Sequence, residues 1–87
     1  MSLYFHPAAE SELTEAALYY ADVRQGLGEA FITAVELAAE LVLARPQLGV
    51  VVAEDNVRRL PVRGFPYSLI YRVLPDRIRI LAVAHHR

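Results

Sequence analysis

The residue types best suited to chemistry lie in the second half of the chain. Arg58, Arg59, Arg63, Arg72 and Arg79 fall in or beside segments of alternating hydrophobicity, and His85-His86 close the last of these. Arginine stays charged, presents a planar fork to carboxylate or phosphate, and is a poor proton shuttle. Five of them suit the binding of an anion better than acid–base work. Histidine titrates near neutral pH and can move a proton or hold a metal. Neighbours on a strand point to opposite faces, however, so His85 and His86 cannot grip one metal ion together, and His6 is distant in sequence. Their plainer role is a solvated strand end. Tyr67 and Tyr71, four apart, offer rings for stacking on nucleotides. More simply they are core rings with a hydrogen-bonded hydroxyl. The arginines have a plain alternative too: a solvated face whose aliphatic stems cover apolar surface.

The charge is distributed unevenly. Residues 1–50 hold two Arg against seven acids, a net −5, whereas residues 51–87 hold seven Arg against three acids, a net +4. All nine basic residues are Arg. A basic second half in a chain of net charge −1 points to an anionic partner met locally. It disfavours direct binding of nucleic acid, for which a high overall pI is usual. No cysteine is present, which excludes disulfides and thiolate metal sites. No Gly-rich phosphate loop, nucleophile elbow, recognition helix or metal-spaced His/Asp/Glu set is visible, so no cofactor is implied. The 55% hydrophobic content excludes disorder. The apolar runs are too short and too interrupted to span a bilayer, and Met1-Ser2-Leu3 does not open a signal peptide. A cytoplasmic location is expected.

Eighty-seven residues make one domain, residues 1–87, which buries roughly 60–65% of its extended surface. Leu3-Tyr4-Phe5 reads as a first strand. Pro7 opens a helix that carries Ala9, Leu13, Ala16, Ala17 and Tyr20 on one face and ends near Arg24, with Gly26 as its stop. A second helix has an apolar stripe of Leu27, Phe31, Ala34, Val35, Ala38, Leu41 and Val42 opposite Glu29, Thr33, Glu36 and Glu40, and Pro46 stops it. Residues 47–56 fit either a loop or a short extra strand. The period then changes to two. Val57–Val62 is a strand, and Tyr67–Val73 and Arg77–Ala84 form an antiparallel hairpin about Leu74-Pro75-Asp76. Leu69, Tyr71 and Val73 should share a face, as should Ile78, Ile80, Ala82 and Ala84. Both faces of the hairpin are partly apolar, so the helices should cover one and something else part of the other. The expected class is α+β: an N-terminal helical hairpin packed on a twisted antiparallel sheet.

Three stretches resemble the RelE/ParE toxin superfamily, most closely its ParE branch of plasmid-stabilisation toxins. They are Val57-Arg58-Arg59-Leu60, the run Phe65-Pro66-Tyr67-Ser68-Leu69-Ile70-Tyr71-Arg72-Val73, and Ile78-Arg79-Ile80-Leu81-Ala82-Val83-Ala84-His85-His86-Arg87. The resemblance extends over nearly the whole chain. It implies the toxin of a type II toxin–antitoxin system, silenced by an antitoxin whose C-terminal segment lies over it. In the ParE branch the target is DNA gyrase, which makes the chain a non-enzymatic inhibitor. In the RelE branch it is mRNA in the ribosome, and Arg59, Arg72, His85 or His86 would then serve an endoribonuclease. Cleaving relatives place basic residues where Val57 and Ser68 stand here, and of that set Arg59 persists. The resemblance also implies further basic residues beyond His85-His86-Arg87. A third outcome is an inactive relic that only binds an antitoxin. The residues assigned to antitoxin or target are Arg58, Arg59, Arg63, Arg72, Arg79, Tyr67 and Tyr71. Without the antitoxin, an uncovered apolar sheet face leaves the chain open to self-association.

Overall fold

The computed structural model describes residues 1–87. Strand β1 (Ser2–Phe5) leads into helix α1 (Pro7–Val23), and helix α2 (Leu27–Ala44) follows. Four strands complete the chain: β2 (Val50–Ala53), β3 (Val57–Pro61), β4 (Tyr67–Val73) and β5 (Arg77–His85). They form one sheet in the order β1-β5-β4-β3-β2. The sheet is mixed rather than wholly antiparallel, because β1 runs parallel to β5, pairing Leu3 with Ile78 and Phe5 with Ile80. Periodicity identifies a strand but not its direction. The two helices lie on one face of the sheet, and the other face is left open.

The helix starts follow local chemistry. His6 caps α1, its Nδ1 accepting from the Ala8 N–H at 3.0 Å, and Pro7 supplies the preset φ of a first helical residue. Gly26 is not the stop of α1. It sits at φ +84° as the cap of α2, and extended Arg24 ends the first helix. The helices cross closely at Gly28, where a Cβ would lie 2.6 Å from the Ala17 carbonyl oxygen. Ala9, Ala16, Ala17, Phe31, Val35, Ala38 and Val42 face the sheet, meeting Leu69, Tyr71, Ile78, Ile80 and Val83. Leu41 departs from its expected place in this stripe and is 51% exposed. At one end of the core Tyr20, Phe31, Phe65 and Tyr67 stack at centroid distances of 5.0 to 6.2 Å. Burial, followed by the neighbouring Tyr67 and Tyr19, raises the pKa of the Tyr20 hydroxyl.

The hairpin contains a β-bulge that simple alternation does not reveal. Ile70 pairs with Ala82, but the next residue, Tyr71, pairs with Ile80, leaving Leu81 unmatched. The inward set therefore changes from Ile78 and Ile80 to Val83, which is 3% exposed, in place of the expected Ala82 and Ala84. The Val83 N–H donates to Glu12 Oε1 at 2.9 Å, which pins α1 to the bulge. Residues 47–56 resolve into a short edge strand and a turn in which Asp55 and Asn56 take φ +61° and +59°. These residue types tolerate the left-handed region.

Candidate functional site

Strand register divides the arginines into three environments. Arg58 pairs with Tyr71 on the helix-covered side. Its guanidinium donates to Asn56 Oδ1 at 2.8 Å, to the carbonyls of Gly49 (2.8 Å) and Gln47 (3.0 Å), and to Gln47 Oε1. Tyr71 is fully buried; its hydroxyl donates to the Pro46 carbonyl at 2.9 Å and accepts from the Gly49 N–H at 2.8 Å. The two side chains fix the segment that leaves α2. In the chain alone Tyr71 has no accessible ring face, and four Arg58 hydrogen bonds are made within the chain, so the fold itself uses both of these expected binding residues. Tyr67 is half-buried, packed against Phe31 at 5.0 Å and His85 at 5.0 Å, so its ring serves mainly as core.

Arg63 stands apart on the turn after β3, at the rim of a groove between α2 and the end of that strand. Ala34, Leu37, Ala38, Leu41, Ala44 and Pro61 line the groove, with Glu40 and Arg63 as its charged members and a cavity volume of about 570 Å³. Leu37 and Leu41, at i and i+4, are 55% and 51% exposed. The expected stripe omitted Leu37 and placed Leu41 inward. Spacing of four residues puts two leucines on one face without saying which face is covered.

The third environment is the open face of the sheet. Arg72 lies directly opposite Arg79, Arg79 opposite Tyr4, and Arg77 opposite Ser2. The Nε atoms of Arg72 and Arg79 are buried and have no hydrogen-bond partner. The guanidinium carbons of Arg77 and Arg79 stand 5.7 and 6.0 Å from the centroid of the Tyr4 ring. Arg59 is on the same face, opposite Ile70. Its Nη1 is 3.5 Å from Ser68 Oγ, which in turn lies 2.7 Å from His86 Nε2. Ser68 is only 1% exposed. His86 is exposed yet anchored: Ser68 engages its ring, and its backbone N–H donates to the Pro66 carbonyl at 2.9 Å. His85 points the other way, onto Tyr67. Of the endonuclease set, only Arg59 and His86 meet. Arg72 is four residues along β4 from Ser68, about 13 Å at the usual strand rise. No three His, Asp or Glu side chains converge on a common point that could hold a metal ion, and no helix is long and apolar enough to cross a membrane.

The arrangement offers two binding features, an apolar groove and a cationic face, together with a Ser68–His86 pair beside Arg59. Residues 3–87 match the family described as the ParE toxin of the type II toxin–antitoxin system, parDE. No curated protein matches the chain. Among solved structures it is similar to one described as the chromosomal ParDE TA system from P. aeruginosa. The TM-score is 0.73 at 25% identity, over 100% of this chain and 97% of that one. With a family match over nearly its whole length and a similar fold in that solved structure, the chain belongs to the ParE toxin family of type II toxin–antitoxin systems.

Proposed function

We propose that the chain is a cytoplasmic, non-enzymatic inhibitor of DNA gyrase, held inactive by an antitoxin segment seated in the groove of α2. The observation that carries the antitoxin half is the exposure of Leu37 and Leu41 beside Pro61. Two large apolar side chains at helical spacing over a groove suit an amphipathic helix with i, i+3 and i+4 anchors. Glu40 and Arg63 at the rim call for a basic and an acidic residue on that helix. Arg59, Arg72 and Arg79 remain available to acidic groups of the antitoxin or target. The gyrase half rests on the ParE family membership.

The test pairs two measurements. Purified protein should inhibit gyrase supercoiling, and the product of the adjacent reading frame should relieve the inhibition. Leu41→Arg should weaken that relief at least tenfold, about 1.4 kcal/mol of lost binding. Supercoiling that proceeds unchanged at stoichiometric excess of the protein refutes the gyrase claim. A second reading, a ribosome-dependent mRNA endonuclease, draws on the meeting of Arg59 and His86 at Ser68. It requires codon-phased cuts in primer extension after induction, lost in His86→Ala. Unimpaired growth on induction without the antitoxin would leave an inactive antitoxin-binding relic.

A further inference from the structure

The open face carries a charge arrangement that the isolated fold does not explain. Arg72 and Arg79 are cross-strand partners, placing their Cβ atoms about 5 Å apart. Like charges directly opposite one another destabilise a sheet. Arg77 extends the positive row along β5, and Arg59 flanks it on β3. No residue that the register places on this face is acidic. The chain's one ion pair, Arg77 to Asp76 at 3.9 Å, is exposed and at the edge of the turn. The Tyr4 ring offsets part of the repulsion through cation–π contact with Arg77 and Arg79. The Nε donors of Arg72 and Arg79 stay unsatisfied and buried, a costly state for charged groups.

We infer that this face is a docking strip for an extended acidic segment of a protein partner, whose carboxylates bridge Arg72 and Arg79. Bridging carboxylates would meet the exposed part of these two half-buried side chains and convert a repulsive pair into a three-charge cluster. Between the cations the face is apolar: Ile70, Leu81, Ala82 and Ala84 are half-buried there. A strand that alternates acidic and apolar residues matches both features. A nucleic acid fits less well. Its phosphates would meet the apolar strip as well as the cations, and the −5 of residues 1–50 opposes a long polyanion. The strip lies on the face of the sheet opposite the helices, so it is separate from the groove of α2. It rests on the toxin reading only in supposing a protein partner.

The probes are a short peptide alternating glutamate and leucine, an oligothymidylate and inorganic phosphate, each titrated into the purified protein by calorimetry at low salt. The peptide should bind, and the Arg72→Gln/Arg79→Gln double variant should bind it at least tenfold more weakly. Leu18→Gln, on the exposed side of α1, should bind it as the unaltered protein does. Arg79→Gln alone should hold or raise Tm, by up to about 5 °C, because it removes a like-charge pair. A held or raised Tm also shows that the variant folds. Peptide binding unchanged in the double variant overturns the inference, as does no binding of any probe. Tighter, arginine-dependent binding of the oligothymidylate overturns it in favour of a phosphate site. None of these readouts uses gyrase or an antitoxin, so the strip and the proposed function can fail separately.

Discussion

The two faces of the sheet treat the same residue types in opposite ways. On the covered face, Arg58 makes four hydrogen bonds and the Tyr71 hydroxyl makes two, all to the segment between Pro46 and Asn56. On the open face, Arg72 and Arg79 oppose each other with unpaired Nε atoms, and Tyr4 offers them only its ring. A polar side chain on the covered face is part of the fold. On the open face, Ser68 is likewise tied into the fold, whereas Arg72 and Arg79 keep Nε atoms without an internal partner. The difference teaches that an arginine count in such a small domain does not measure a binding site. The count of arginines without internal partners does.

The comparison breaks first at Tyr71 if it is wrong. Tyr71→Phe keeps the ring but strands the Gly49 N–H and the Pro46 carbonyl. The expected loss is about 3 kcal/mol, a fall in Tm of ~15 °C. Arg58→Met keeps the stem and removes four hydrogen bonds, two to side chains and two to backbone carbonyls near solvent. About 1.5 kcal/mol should go, read as a lower denaturant midpoint at constant slope. If Arg58→Met were neutral and Arg79→Gln strongly destabilising, the division of labour between the faces would be reversed. Glu12→Ala sharpens the same point at the bulge. It frees the Val83 N–H and should cost about 1 kcal/mol, with faster amide exchange at Val83 than at its neighbours.

Much of the fold was legible because periodicity is a physical signal. The α1 stripe, the buried Phe31, Val35, Ala38 and Val42 of α2 and the hairpin strands follow from spacing alone. The bulge was not legible, since Ile78 to Ala84 alternate plausibly in either register and only the partner strand selects one. Leu41 leaves its expected stripe for a related reason: a stripe shows that residues share a face, not how far the sheet reaches beneath it. The site residues were legible as types and not as places. Five arginines looked like one set, yet pairing with Tyr71, Ile70 and Arg79 sends them to different surfaces. The Ser68–His86 contact joins residues 18 apart across the hairpin, and no local pattern announces it.

The smallest expected effect lies in the aromatic cluster at the end of the covered face. Tyr20 has a raised pKa, first because burial disfavours the phenolate and then because ionised Tyr67 and Tyr19 would repel it. A folded-state pKa above the ordinary value of 10.0 means that the folded protein holds this proton more tightly than the unfolded chain. Its contribution to stability is therefore complete below pH 10 and is lost as the pH rises through the folded pKa. Tyr20→Phe removes the titrating group and keeps the ring against Phe31 and Phe65. Its unfolding free energy should match that of the unaltered protein at neutral pH to within about 1 kcal/mol and fall less steeply above pH 10. Parallel alkaline slopes for the two proteins would show that the cluster is wetter than its packing implies. The covered face would then be less sealed at that end than at Tyr71.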